Sequence, residues 1–243
     1  MKLFQAGFYL LFSASSLAGP QMLKTQCYLV LWRQCCHKIF HLELHHQLVV
    51  GWMDGAVAQA LQMKAVPYFY AATMPVYSSV LAYSTFVFDQ NHNVMLNGDS
   101  IFGQAWYQEL VIVPNPANDS TYYLFSIGVA GSNFGLMYSI IDMRMNGGFG
   151  AVTVKNVQLQ SFAIVDGINA IKHGNGRDWW LIFRKSDFPT FTSNNDFYSY
   201  LITPNGIQNF SVQSIGEQNR TNAGNIKFSR NGDKMIFAVF KML

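Results

Sequence analysis

The densest run of polar side chains in the sequence is Lys172-His173-Gly174-Asn175-Gly176-Arg177-Asp178. An imidazole can act as a general base and a nearby carboxylate can orient it, so His173 and Asp178 form a candidate functional patch. No serine or cysteine nucleophile accompanies them in a recognised motif. The glycines do not match a phosphate-binding loop, which also needs a Lys-Ser/Thr pair and a following helix. We predict that this run is chiefly a structural turn.

A second group, His41, Glu43, His45 and His46, offers side chains that zinc prefers. On a helix, His41 and His45 would share one face because they are four residues apart. The spacing differs from HExxH, in which a glutamate follows the first histidine and acts as the base. We therefore predict no metal site, no cofactor and no catalytic residue.

Several aspartates could suggest hydrolytic chemistry, but most have Asn or Gly as near neighbours. Short Asp and Asn side chains bond to nearby backbone and stabilise turns, and that is the role we predict for them. They are Asp89, Asp119, Asp142, Asp166, Asp178, Asp187, Asp196 and Asp233.

Three Asn-x-Ser/Thr triplets and three tryptophans are further candidates for contact with sugars. The triplets recur by chance in Asn-rich loops, so we predict no role for Asn118, Asn209 or Asn219. The rings of Trp106, Trp179 and Trp180 can stack on a sugar. Adjacent strand residues point to opposite faces, however, so we predict that the Trp179-Trp180 pair packs on both faces of a sheet.

The composition restricts the class of protein to which this chain can belong. Of 243 residues, 12% are charged, about half the usual share, and 15% are aromatic. A disordered chain would lack that apolar surface. The net charge of +3 is scattered, which gives no basis for a nucleic-acid partner. Three cysteines, Cys27, Cys35 and Cys36, make a poor disulfide framework because the count is odd and two are adjacent.

Residues 1–19 resemble a secretory signal. Lys2 provides the positive start, Leu3 to Phe12 an apolar core, and Ser16-Leu17-Ala18 small residues for cleavage. The segment is too short for a spanning helix, so we predict export and no membrane span. The alternative is an ordinary apolar N-terminus.

From Phe86 onward, short β-branched and aromatic runs alternate with Asn, Gly, Asp and Pro, which predicts strands and turns. We expect Gly135–Met143 to pair antiparallel with Thr121–Ile127, and Asn231-Gly232 to turn a hairpin. The run Leu23 to Val50 shows neither helical nor alternating periodicity. The other predicted strands are Phe86–Phe88, Leu110–Val113, Val152–Leu159, Asp178–Arg184, Phe197–Thr203, Ser211–Ile215, Asn225–Ser229 and Lys234–Phe240.

One pattern recurs at a fixed interval. Aromatic or apolar runs begin at Tyr122, Trp179 and Met235, in steps of 57 and 56 residues. Known propeller blades repeat at roughly 40–50 residues, and blades must stack on neighbours to bury both faces. We therefore predict an all-β fold: a partial β-propeller of about three four-stranded antiparallel blades, with an irregular N-terminal region. The alternative is a β-sandwich with evenly spaced strands.

Several segments resemble, in order and spacing, a family of secreted Bacteroidota β-propeller proteins associated with gliding motility and type IX secretion. They are Val87–Gly98, Leu110–Pro114, Tyr122–Phe125, Tyr138–Met143, Asn146–Gly150, Lys172–Gly176, Asp178–Trp180 and Ile226–Ser229 with Asn231-Gly232. The resemblance implies a secreted or cell-surface protein. It also implies a non-catalytic binding or adhesion platform whose partner is a protein or a glycan. The alternatives are a propeller hydrolase, lactonase-like or glycan-active, and a non-functional fragment.

The first third departs from this family, which has Trp-Tyr-Phe-Gly and Glu-Gly-Cys/Ser-Ala motifs that are absent here. Shifted reading frames near Leu31–Cys36 and Gln62–Pro67 can encode similar motifs, so our hypothesis is that much of residues 20–85 is translated out of frame. The predicted divisions are 1–19, 20–85 and 86–243, the last an incomplete propeller. Lys234–Phe240 is expected to lack a partner after Leu243, with further blades downstream.

Overall fold

The computed structural model describes residues 24–31, 57–60, 69–73, 85–103, 108–128, 134–220 and 224–241, and this part of the chain is all-β. Within it, the only helical element is a single 3-10 turn at Asn146–Gly148. The strands are β1 Lys24–Leu31, β2 Val57–Ala60, β3 Phe69–Thr73, β4 Thr85–Phe88, β5 Leu110–Pro114, β6 Thr121–Ile127, β7 Leu136–Asp142, β8 Ala151–Gln160, β9 Asn169–Lys172, β10 Trp179–Arg184, β11 Asn194–Thr203, β12 Gly206–Asn219, β13 Gly224–Phe228 and β14 Lys234–Lys241.

These strands form small antiparallel sheets that follow one another along the chain. The first sheet is β2-β3-β4, the second β5-β6-β7-β8 and the third β9-β10-β11-β12. The fourth has the order β13-β14-β1, so its third strand comes from the N-terminal part of the sequence. Apart from β1, neighbouring strands in each sheet are also neighbours in the sequence, as in a meander.

The first sheet is extended by an irregular segment after β4. The Ile101 N–H donates to the Thr85 carbonyl at 3.0 Å, and the Thr85 N–H donates back at 3.1 Å. Nearer the start of the segment, the Met95 N–H donates to the Val87 carbonyl at 2.8 Å. The segment therefore occupies the place of a fourth strand beside β4.

The sheets pack face to face in chain order because successive strand residues point to opposite faces. Leu124 belongs to the apolar cluster shared with the first sheet, and its neighbour Phe125 to the cluster shared with the third. Phe183 faces the second sheet, whereas Ile182 faces the fourth and belongs to the same buried cluster as Phe237. This double burial explains why every residue of β6 is buried.

The first strands of the sheets lie side by side. β2 contacts β5, β5 contacts β9, and β9 contacts β13. At the outer side of the stack, β12 contacts β1. Successive sheets are therefore aligned, with their first strands together and their later strands further out.

The sequence predicted most of these strands correctly. β6 has the predicted bounds, and β7 pairs with it antiparallel along its whole length. The Asn231-Gly232 turn joins β13 and β14, with Gly232 at a φ of 71° that favours glycine. The alternation of apolar runs and turn residues is enough to predict a strand wherever that strand pairs with its neighbour in the sequence.

The structure differs from the sequence-based expectation in three places. β9 was not predicted, because it has only four residues and none of them is fully buried. The N-terminal region was predicted to be irregular, yet it contributes β1, β2 and β3. β14 was expected to have an open edge beyond its hairpin with β13, and at that edge it pairs with β1 from Lys24↔Lys241 to Leu31↔Lys234. Local periodicity does not reveal a partner that lies so far away in the sequence.

Candidate functional site

The turn between the first and second strands is closed by the same kind of backbone hydrogen bond in three successive sheets. In the second sheet, the Asn115 N–H donates to the Thr121 carbonyl at 3.0 Å. The His173 N–H donates to the Asp178 carbonyl at 2.7 Å in the third sheet, and the Ser229 N–H to that of Lys234 at 2.9 Å in the fourth. Because β5, β9 and β13 lie side by side, these turns form a repeated feature of the stack.

The predicted patch of His173 and Asp178 occupies the turn of the third sheet, but the two side chains do not bond to each other. The His173 Nδ1 atom accepts a hydrogen bond from the Asn175 N–H at 3.1 Å. The Asp178 carboxylate accepts from Arg177 Nε at 2.7 Å and Nη2 at 3.2 Å, and from Asn175 Nδ2 at 2.7 Å. The structure therefore places both residues in one turn without an imidazole–carboxylate hydrogen bond.

The electrostatics of Asp178 fit a structural carboxylate. The hydrogen bond from the Arg177 side chain holds the pKa of the Asp178 carboxyl below its ordinary value, and burial opposes that shift. The Asn175 amide lowers the same pKa further. Asp178 is buried and stays ionised, so it anchors Arg177 and Asn175 in the turn.

A cleft of about 310 Å³ separates the turn of the second sheet from the turn of the third. We call it the inter-turn cleft. Its second-sheet wall consists of Pro114, Asn115, Pro116, Asn118, Asp119 and Tyr122. Its third-sheet wall consists of Lys172, Gly176, Arg177 and Trp179.

The third-sheet wall has an aromatic ring beside two cations. Trp179 is half-buried and packs on the core between the second and third sheets, which fixes its ring. The Lys172 Nζ atom lies 5.8 Å from the centre of that ring. The Arg177 side chain is 60% exposed even though Asp178 holds one edge of its guanidinium. The neighbouring Trp180 packs towards the fourth sheet, which confirms the prediction that the pair divides between two faces.

The second-sheet wall is more acidic. Asn118 and Asp119 are exposed, and Tyr122 is buried at the base of the turn. Burial raises the pKa of the Tyr122 hydroxyl, and the nearby charge of Asp119 adds to the effect. Tyr122 therefore remains a neutral phenol beside a carboxylate across the ordinary pH range.

Much of the backbone around the inter-turn cleft already has hydrogen-bond partners. The Asn118 N–H donates to the Asn115 carbonyl at 3.2 Å, and the Gly176 N–H to the His173 carbonyl at 2.9 Å. The Asn118 Oδ1 atom also accepts from the Thr121 N–H at 2.8 Å. The groups best placed to meet a ligand are therefore side chains.

Two of the remaining predicted aspartates bond backbone, as expected for turns. The Asp89 Oδ1 atom accepts from the N–H groups of Asn91 and Asn93, at 2.8 and 3.0 Å. The Asp142 Oδ1 atom accepts from the Arg144 N–H at 2.9 Å. These contacts confirm the predicted structural role at both positions.

Other aspartates bond side chains instead. Asp187 accepts from Arg220 Nε at 3.0 Å. The hydroxyls of Ser214 and Ser229 donate to Asp196 and Asp233 respectively, at 2.9 and 2.8 Å. Asp166 is buried just before β9, where its carbonyl accepts from the Gly224 N–H at 3.4 Å. Of the eight, only Asp119 lines the inter-turn cleft.

The triplet asparagines do not share one environment. The Asn118 Oδ1 atom is a turn acceptor, and Asn219 Nδ2 donates to the Glu217 carbonyl at 3.4 Å. The side chain of Asn209 lies outside the described residues.

Several other candidates also fall outside the part of the chain that the structure describes. They are residues 1–19, Cys35, Cys36, His41, Glu43, His45, His46 and Trp106. Among the described residues, no group of three or more His, Cys, Asp or Glu side chains is placed to hold a metal ion. The same ranges contain no helix with the length and apolar character needed to cross a membrane.

Comparisons with protein-family models, with curated proteins and with solved structures found no match to this chain. Lys172, Asp119 and Tyr122 were not predicted as members of a common site. The signal was available, because Asn115 and His173 are equivalent turn residues 58 positions apart.

Proposed function

We propose that this chain is a non-catalytic recognition module built from stacked propeller-type blades, exported to the cell surface, and that it binds its partner in the inter-turn cleft. The inter-turn cleft carries the proposal. Its volume, about 310 Å³, falls at the lower end of the range for ligand sites. It combines one fixed aromatic ring with a few polar side chains, which is the usual composition of such a site.

The blade arrangement is supported by the order of the sheets. Antiparallel sheets follow one another in chain order, each packs on the next, and their first strands are in contact. The runs that begin at Tyr122, Trp179 and Met235 lie in β6, β10 and β14, which are the second strands of three successive sheets. A propeller repeats this unit radially, and its recognition sites lie in the turns that a rigid scaffold presents.

Binding rather than catalysis is supported by the hydrogen bonds at the patch predicted from the sequence. Asp178 is occupied by Arg177 and Asn175, and the His173 Nδ1 atom is occupied by a backbone N–H. Among the described residues, no carboxylate is hydrogen-bonded to the His173 ring to orient it as a general base. The exposed groups of the inter-turn cleft are donors and acceptors suited to recognition.

The test is saturable binding of the whole purified chain, fluorescently labelled, to intact Bacteroidota cells. We expect saturation by the wild type and at least a tenfold loss of affinity in Trp179→Ala, with Trp180→Phe as the matched control. Circular dichroism checks that each variant is folded. A wild type that does not saturate, or a Trp179→Ala variant that binds equally well, would overturn the proposal.

A further inference from the structure

We infer that the inter-turn cleft binds a neutral glycan, with one sugar ring stacked on Trp179. The inference rests on the proposed recognition function and specifies its ligand. Sugar rings present faces of C–H groups that pack on an aromatic surface, and they carry hydroxyls around the edge. Trp179 is a suitable platform because its ring is held by core packing while part of it stays accessible in the inter-turn cleft.

The polar groups of the inter-turn cleft match hydroxyls better than they match a ligand of one hydrogen-bonding type. Lys172 and Arg177 are donors, and Asp119 is an acceptor on the opposite wall. Each hydroxyl both donates and accepts, so a ring edge can satisfy both walls at once. A volume of about 310 Å³ suits a ligand of roughly one or two sugar rings.

The charge balance favours a neutral ligand. Lys172 and Arg177 contribute two positive charges, while Asp119 and the buried Asp178 contribute two negative charges. The charge of Arg177 is largely offset by its contact with Asp178, at 2.7 Å. No net field remains that would select a polyanion such as a uronic-acid chain.

A peptide fits this site less well. Peptides that add to a sheet bind through backbone hydrogen bonds to an open strand edge. The inter-turn cleft lies between two hairpin turns whose N–H groups at Asn115, Asn118, His173 and Gly176 already bond within the turns. Recognition here has to use side chains, which is how proteins read sugar hydroxyls.

The direct test is isothermal titration calorimetry of the full chain with defined tetrasaccharides. The neutral probes are linear tetramers of glucose, mannose, galactose and N-acetylglucosamine, and tetragalacturonate is the anionic probe. We expect at least one neutral tetramer to bind, and to bind at least tenfold more tightly than tetragalacturonate. If tetragalacturonate binds more tightly than every neutral tetramer, or if none of the probes binds, the inference is overturned.

Variants tie any binding to the inter-turn cleft. Trp179→Ala should weaken binding at least tenfold, and Trp180→Phe should leave it unchanged. Asp119→Ala removes an exposed carboxylate from the opposite wall, so the fold is retained and we expect about a fivefold loss from one missing hydrogen bond. Full affinity in both Trp179→Ala and Asp119→Ala would place the glycan elsewhere and refute the inference.

The cell-binding assay separates failure of this inference from failure of the proposed function. Periodate cleaves the diols of surface glycans, whereas proteinase K removes surface proteins. We expect periodate to abolish the Trp179-dependent binding and proteinase K to spare it. The opposite pattern would refute the glycan ligand and leave the recognition function standing, whereas absence of saturable binding to untreated cells would remove both.

Discussion

At the scale of single residues, Asp178 has a role that the neighbouring residues in the sequence did not indicate. It lies in the most polar run of the chain, beside an imidazole, as a catalytic partner would. Its carboxylate instead holds the side chains of Arg177 and Asn175. Asp178 therefore positions Arg177 in the third-sheet wall of the inter-turn cleft, and it affects a ligand only through Arg177.

The depressed pKa of Asp178 gives a pH-dependent prediction. A carboxyl whose pKa is lower in the folded state stabilises that state fully above its unfolded pKa of about 3.9, and the stabilisation is lost as the pH falls through the folded value. Asp178→Asn should therefore unfold at lower urea concentration than the wild type at pH 7. The difference should shrink as the pH falls below about 4, because protonation of the carboxyl removes the contact with Arg177. A difference that is constant or grows over that acid range would contradict this role.

Arg184 is the second residue with an unexpected environment. It is only 1% exposed, and its guanidinium lies 5.5 Å from the ring centre of Phe197 and 5.0 Å from that of Phe237. Its Nη2 atom donates to the Asn194 carbonyl. A planar cation between two aromatic faces joins the third sheet to the fourth.

We expect Arg184→Ala to lower the free energy of unfolding by about 3 kcal/mol, because a large side chain is lost from a packed interface. Arg184→Met retains most of the volume, so its cost should be less than half of that. Urea denaturation of the two variants measures both. Equal costs would mean that the charge, and not the packing between rings, is what matters at this position.

At the scale of elements, the close approach of neighbouring sheets is visible at Gly167, just before β9. A Cβ atom added there would lie 2.6 Å from the carbonyl oxygen of Gly224, the first residue of β13. The first strands of the third and fourth sheets can therefore approach each other only because this side chain is absent.

Gly167→Ala should cost about 2 kcal/mol, because backbone of the fourth sheet would have to move. The matched control is Gly206→Ala at the first residue of β12. Gly206 has a φ of 98° and no atom within 4 Å of an added Cβ, so this variant reports conformational strain alone, about 1 kcal/mol. Thermal unfolding compares the two, and a Gly167→Ala variant as stable as the wild type would contradict the close contact.

Elements also show what the sequence could predict. β6 and β7 were predicted because their apolar runs are bounded by turn residues and their partner is adjacent in the chain. β9 was not, since Asn169 to Lys172 is short and only half-buried. The inter-turn cleft was not predicted either, because it exists only where turns 58 residues apart come together. The recurrence of Tyr122 and Trp179 indicated that the two turns are equivalent. Only the stacking of the sheets shows that a cleft lies between them.

At the scale of the whole molecule, β1 joins the N-terminal part of the chain to its last sheet. β1 belongs to the region that local periodicity left unassigned, yet it completes the fourth sheet beside β14. Through this pairing, part of residues 20–85 becomes an integral part of the fold. The outer contact of β1 with β12 then helps to align the fourth sheet on the third.

The pairing of β1 with β14 can be measured directly, because Cys27 lies opposite Ala238. Antiparallel partners have Cα atoms about 4.5–5.5 Å apart, which is within reach of a disulfide. In a background with Cys35→Ser and Cys36→Ser, Ala238→Cys should form a disulfide with Cys27 on mild oxidation. The matched control is Asn225→Cys on β13, which is two strands from β1 and roughly 9–10 Å away.

Mass spectrometry of the non-reduced protease digest tests whether the N-terminal strand completes the stack of sheets. For the Ala238→Cys protein, we expect a high yield of a peptide in which Cys27 is cross-linked to the introduced cysteine. We expect no such cross-link in the Asn225→Cys control. Free thiols at both positions of the Ala238→Cys protein, or equal cross-linking in the control, would contradict the pairing of β1 with β14.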